Sequence, residues 1–259
     1  MAPAEAKKHL EPLANKALEL DDTLAETRIS VALCKSLYDW HFSDADKEHK
    51  KAISLNPKYA FAHHLDAATL ILLGLNDEAI AAVKRAIEVE PFTAIFNGSL
   101  GWWYYLARRN DEAIAQLLRA IEIAPNHFFG HWVLGLAYGQ ARRYDKAVEA
   151  LQRGCALTDG NQHIKADLGR IYATKGQRDE ALKLLAELRE QAKKEYVSPV
   201  NLAKIYAGLG EREQVFEQLE RACEEHSVKL PWFILDPCLD NFRADPRFAA
   251  LVKRIGLPQ

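Results

Sequence analysis

From residue 100 to residue 125 the chain reads LGWWYYLARRNDEAIAQLLRAIEIAP, and from residue 134 to residue 159 it reads LGLAYGQARRYDKAVEALQRGCALTD. The second stretch echoes the first at a distance of 34 positions. Leu100-Gly101 returns as Leu134-Gly135, Tyr104 as Tyr138, Arg108-Arg109 as Arg142-Arg143, Ala113 as Ala147 and Leu117 as Leu151. Working outward at the same interval, Pro57, Pro91 and Pro125 form one column, Ala45 to Ala181 a second, and Tyr104, Tyr138, Tyr172 and Tyr206 a third. Self-similarity at a fixed period of this size marks a stacked array of one supersecondary unit.

The columns say what the unit is. Gly or Ala at 67, 101, 135, 169 and 203 and Ala at 45, 79, 113, 147 and 181 let two helices approach closely. Leu100, Leu134, Leu168 and Leu202 on one helix, and Val83, Leu117, Leu151, Leu185 and Leu219 on the other, supply the apolar stripe of an amphipathic helix. Breaks are expected at Gly74, Arg108-Arg109-Asn110, Arg142-Arg143 and Gly176-Gln177, each followed by acidic residues that suit a helix N-terminus. Proline then stops the second helix. A single helical hairpin cannot cover its own apolar faces, so the units must stack. The expected fold is all-α, a right-handed superhelical solenoid of antiparallel hairpins with capping helices at its ends.

The motif Leu100-Gly101-x-x-Tyr104, Ala113, Leu117, Ala120 and Pro125 resembles the tetratricopeptide repeat family, and Leu134-Gly135-x-x-Tyr138, Ala147 and Leu151 match nearly as well. The resemblance implies six repeats at 26–59, 60–93, 94–127, 128–161, 162–195 and 196–229. Residues 1–25 would hold an N-terminal capping helix over about 10–20, with Leu13, Ala17 and Leu20 on one face and Pro12 near its start, and 230–259 a C-terminal cap. Within that cap Asp245-Pro246 reads as an N-cap and first helical residue, which starts a last helix running to about Ile255. The outer units depart from the pattern at Ser36, Asp66, Leu70 and Val215. The tail is also similar to the repeat region found C-terminal to bacterial signalling modules, none of which is present in these 259 residues.

The composition excludes several functions. With 34 basic against 36 acidic side chains, the formal charge of -2 gives no electrostatic reason to expect nucleic acid or a membrane surface as partner. Cys34, Cys155, Cys223 and Cys238 form no C-x-x-C pair and read as reduced core thiols. The N-terminus lacks the apolar core of a signal peptide, and the longest apolar runs fall short of the roughly 18–20 residues that span a bilayer. A cytoplasmic location is expected.

No catalytic motif is spelled out, whether nucleophile elbow, zincin pair, phosphate loop or dinucleotide fingerprint, so the expectation is a protein that is not an enzyme and carries no cofactor. His127 and His131, and His63, His64 and Asp66, could each supply two metal ligands, but nothing at motif spacing completes a tetrahedron and no metal is expected. Asp66 stands in a leucine column, where a carboxylate needs a partner. His63 is the local candidate, unless the helix rotates to give Leu65 the core place. The turn arginines are followed by acids that neutralise them.

The resemblance places the concave surface at positions 2, 5, 9, 12 and 13 of each first helix. Phe61, His64, Ile95, Trp102, Tyr105, Phe129 and Trp132 occupy such positions in three consecutive units and make a candidate partner-binding groove. The Lys and Asn set with which some relatives clamp a peptide carboxylate is missing, since position 5 reads Ser30, His64, Gly98, Trp132, Ala166 and Val200. Two readings stand: a non-catalytic scaffold that binds a protein or peptide in that groove, or a sensor region that binds a small effector and controls an output module. Packing of the aromatics on one another or on a cap is the alternative to an open groove, and self-association is left open.

Overall fold

The computed structural model describes residues 2–258. Helix α1 (Pro3–Leu20) precedes six antiparallel hairpins: α2/α3 (Ala25–Leu37, Phe42–Leu55), α4/α5 (Ala60–Leu72, Asn76–Val89) and α6/α7 (Ala94–Leu106, Asn110–Ile123), then α8/α9 (Phe128–Gln140, Tyr144–Ala156), α10/α11 (Gln162–Lys175, Arg178–Ala192) and α12/α13 (Pro199–Leu209, Arg212–Glu224). A C-terminal segment follows, made of α14 (Leu230–Leu235), a 3-10 helix (Pro237–Phe242) and α15 (Pro246–Ile255). There is no strand among the described residues. The chain is an all-α solenoid of stacked hairpins closed by terminal helices.

The repeat is written in the backbone as well as in the side chains. Trp40, Gly74, Arg108, Arg142, Gly176 and Gly210 recur every 34 residues between the two helices of each hairpin, and every one has a positive φ, from 57° at Trp40 to 91° at Gly176. This left-handed residue lets the next amide reach back to the last turn, as in Arg109 N–H to Tyr104 O and Arg143 N–H to Tyr138 O, both 2.8 Å. Only half of the column is glycine. Trp40, Arg108 and Arg142 adopt a conformation that costs an L-residue roughly 1 kcal/mol, and the packing of the hairpin sustains it.

A second column closes the other turn. His63 Nε2 donates to Pro57 O at 2.9 Å, Asn97 Nδ2 to Pro91 O at 2.9 Å, and His131 Nε2 to Pro125 O at 2.8 Å. Each side chain, six residues after its proline, thus satisfies a carbonyl left over between hairpins. Two of the metal-ligand candidates thus have a structural role through Nε2. That role also corrects the Asp66 pairing, because His63 is bonded elsewhere.

The core follows the small columns. Ala45, Ala79, Ala113, Ala147 and Ala181 are wholly buried. A Cβ on Gly101 would lie 2.4 Å from Leu117 Cγ, and one on Gly135 2.5 Å from Leu151 Cγ, so glycine lets the paired helices touch. Asp66 keeps its inward place and is buried. Burial, and then the Asp46 carboxylate, raise its pKa to about 6.

The ends differ from the sequence reading in one respect. α1 begins at Pro3, carries Pro12 inside it and packs against α2 with Ala14 buried, while Leu13 and Leu20 are 67% and 76% exposed. α15 starts at Pro246, with the Asp245 side chain accepting from Arg247 N–H. It joins a cluster that also holds Trp40, Phe42 and Leu72 from the first hairpins, and Trp40 stacks on His226 at 4.5 Å. The first and last parts of the array therefore meet.

Candidate functional site

Six of the seven candidate groove residues fall into two groups, and Tyr105 stands apart. Trp102 on α6 and Phe129 and Trp132 on α8 meet at ring distances of 5.4–5.7 Å. One repeat earlier, Phe61 lies 5.7 Å from His64, which touches Phe96 at 5.1 Å, and Ile95 packs beside Phe96. Phe61 remains 39% exposed, whereas His64 is buried and its pKa falls to about 4 by desolvation. Tyr105 is fully buried and presents nothing to a visiting partner.

What covers the group around Trp102 is the chain's own C-terminal segment. Trp232 of α14 lies 5.2 Å from Trp102 and 5.6 Å from Trp103, and Phe233 and Ile234 beside it are buried. The Tyr105 hydroxyl donates to Asp236 Oδ1 at 2.7 Å, and the same oxygen accepts the Cys238 amide at 2.9 Å. Burial and the Asp236 charge raise the pKa values of the Tyr105 phenol and the Cys238 thiol well above their usual range, so both stay protonated. At the rim Arg108 reaches Asp240 at 2.7 Å.

Charged residues complete the inner surface. Asp167 on α10 is wholly buried and accepts from Lys204 Nζ at 2.6 Å and from Trp132 Nε1 at 2.8 Å, with Arg170 at 3.5 Å. Burial alone would raise its pKa, but Lys204 and Arg170 override that and hold it at about 2. Asn201 gives Nδ2 to Gln162 and turns Oδ1 to His163 Nδ1 at 3.0 Å, which assigns the ring proton to Nδ1. Nε2 then faces Lys204 Nζ at 3.2 Å. Burial, Lys204 and Lys229 drive the His163 pKa far down, so the ring is neutral.

His163, Arg170 and Lys204 occupy positions 2 and 9 of their first helices, the same positions that single out Phe129, Trp102 and Phe61. Applying the rule to the last two repeats would have found them. Trp232 and Asp236 lie beyond the last repeat and Lys229 is its final residue, and no periodicity points to them.

Among the described residues no group of three or more His, Cys, Asp or Glu is placed to hold a metal ion. A family model described as tetratricopeptide repeat matches residues 140–205, and another of the same description matches residues 73–128. The chain is a tetratricopeptide repeat protein. A thermophilic repeat protein of this family from Thermus thermophilus, TTC0263, is similar at 25% identity and a TM-score of 0.62, over 72% of this chain and 99% of that one. A chain of the APC/C hetero-tetramer Cut9–Hcn1 superposes over 96% of the present chain and 46% of its own, at 17% identity and a TM-score of 0.67. PilW, a type IV pilus biogenesis factor, does so over 88% and 98%, at 17% identity and a TM-score of 0.61. The likeness to the last two is one of fold. A search of curated proteins finds no match. The tetratricopeptide fold is a protein-interaction scaffold, and its repeats are in general not catalytic. No helix among the described residues is long and apolar enough to cross a membrane.

Proposed function

We propose that this tetratricopeptide repeat protein is a non-catalytic scaffold that receives an apolar helix or peptide of a partner protein along Phe61, His64, Ile95, Trp102, Phe129 and Trp132. The observation that carries the reading is the nature of the segment already seated there. α14 is a six-residue apolar helix, LPWFIL, and it lies with Trp232 against Trp102 and Trp103. A groove that accepts such a helix from its own chain has the chemistry to accept one from another. Tyr105, a groove candidate on sequence grounds, serves in this reading as an anchor for the resident segment. The free thiols of Cys34, Cys155, Cys223 and Cys238 are in keeping with the reducing cytoplasm.

The test uses a labelled peptide of residues 227–242 added in trans to the full chain. Fluorescence anisotropy should show weak binding to the wild type, tighter binding to Trp232→Ala, whose own segment is loosened, and loss in the double variant Trp232→Ala with Trp102→Ala. Aromatic anchors of this kind typically contribute about 2 kcal/mol or more. A peptide that binds none of these proteins, or all of them equally, would show that α14 belongs to the core and not to a binding surface.

A further inference from the structure

Where α14 crosses the inner surface it leaves a cavity of about 110 Å³. Trp102, Trp132 and Trp232, with Leu136 and Phe233, form its apolar walls, Lys204, Lys229 and His163 are its basic lining, and Asp236 is its acidic one. Trp102, Trp232 and Lys229 are half-buried and mark its mouth.

The charges around this cavity do not balance. Lys204, Lys229 and Arg170 are cations, while Asp167 and Asp236 are the carboxylates that face them. His163 is neutral, and Tyr105 and Cys238 keep their protons. One positive charge is left over. Asp167 is consumed by Lys204, Trp132 and Arg170. Asp236 Oδ1 is consumed by Tyr105 and Cys238. The surplus sits on Lys229, which among the described residues has no carboxylate within ion-pairing distance. Burial, and then repulsion from Lys204, lower its pKa to about 8, so at neutral pH it remains mostly an ammonium. A half-buried, unpaired ammonium beside three indoles is costly unless something neutralises it.

We propose that the cavity is a binding site for a small organic carboxylate, whose charge pairs with Lys229 beside Lys204 and whose short apolar body lies against the indoles of Trp102, Trp132 and Trp232. A single negative charge matches the surplus. The aromatic walls favour a carbon-bearing acid over a hydrated inorganic ion. An apolar cavity of about 150 Å³ holds benzene, so this one admits a body of about two to four carbons. The proposal does not depend on a partner docking in the groove.

Butyrate is the probe, titrated into the full chain at constant ionic strength while tryptophan fluorescence is followed. The wild type should give a saturable change with butyrate and none with butylamine. Lys229→Met should weaken binding about tenfold or more, and Lys229→Arg should largely retain it. In the unaltered protein, saturating butyrate should raise the thermal midpoint where butanol does not, a readout that stands even if Lys229→Met folds poorly. The proposal fails if butyrate gives no saturable change, if butylamine acts alike, if Lys229→Met binds as the wild type does, or if sulfate displaces butyrate at equal concentration.

Discussion

Tyr105 and Asp236 stand 131 residues apart in the chain, and the phenol of the first donates a 2.7 Å hydrogen bond to the carboxylate of the second inside the array. The bond ties the third hairpin to the segment that follows the sixth. It fixes the point at which the chain turns from α14 into the 3-10 helix, because the same Asp236 oxygen caps that helix through Cys238 N–H. A buried carboxylate keeps a fixed position only while its donors remain.

Tyr105→Phe removes one of those donors and changes little else in shape. It should cost about 1–3 kcal/mol in urea unfolding, and it should expose tryptophan as the segment bearing Trp232 loosens. An unfolding midpoint and an emission maximum equal to those of the wild type would show that the segment is held by its apolar contacts alone.

Asp66 gives a prediction with a definite sign in pH. Its folded pKa, raised to about 6 by burial and by Asp46, lies above the ordinary value of 3.8. The folded protein therefore takes up a proton before the unfolded chain does. The cost of the buried charge is fully present above pH 6, and it fades as pH falls through 6 toward 4. Asp66→Asn should stabilise the protein at pH 7.5 by on the order of 1–3 kcal/mol, and the difference from wild type should shrink toward zero near pH 4. A gain that is constant across this range would assign the effect to packing and not to charge.

The left-handed column predicts opposite outcomes for two surface changes one repeat apart. Arg142 at φ 58° is exposed, and its replacement by glycine should relieve strain and stabilise by about 0.5–1 kcal/mol. Gly176 at φ 91° has open space around its missing Cβ, so Gly176→Ala should destabilise by about 1 kcal/mol through the backbone alone. Thermal midpoints of the two variants should move in opposite directions.

The apolar spacing in α1 predicts a cap held by Leu13 and Leu20, yet both are largely exposed. The double change Leu13→Gln, Leu20→Gln should therefore leave the unfolding midpoint within about 0.5 kcal/mol of wild type. A loss of several kcal/mol would show that these two leucines hold α1 in place.

These residues also show what a sequence can reveal here. The hairpin turns at Gly74, Arg108, Arg142 and Gly176 are legible because each must supply one residue of special backbone geometry at a fixed interval. The start of α15 is legible because Asp245-Pro246 is a local signal, complete in two residues. The start of α1 is not, since Pro12 looks like a first helical residue and is tolerated inside a longer helix. The aromatic half of the inner surface follows from position numbers. In its charged half Arg170 and Lys204 obey the same numbers, but a cation at such a position gives no sign of burial until Asp167 is seen between the two. Trp232 and Asp236 come from a stretch with no repeat to predict them. The role of His63 and His131 becomes visible only with the proline carbonyls in place.

Trp40, Phe42 and Leu72 share one apolar cluster with Leu251, Ile255 and Leu257, and Pro258 lies against Gly74. A linear stack of repeats melts from its loose ends inward, each unit answering only to its neighbours. In this molecule the seam between first and last units leaves no loose end from which to start. Opening any hairpin must either break the seam or strain a closed hoop, so amide hydrogens of the outer hairpins should exchange on the same timescale as those of the middle ones, and the array should let go as a whole.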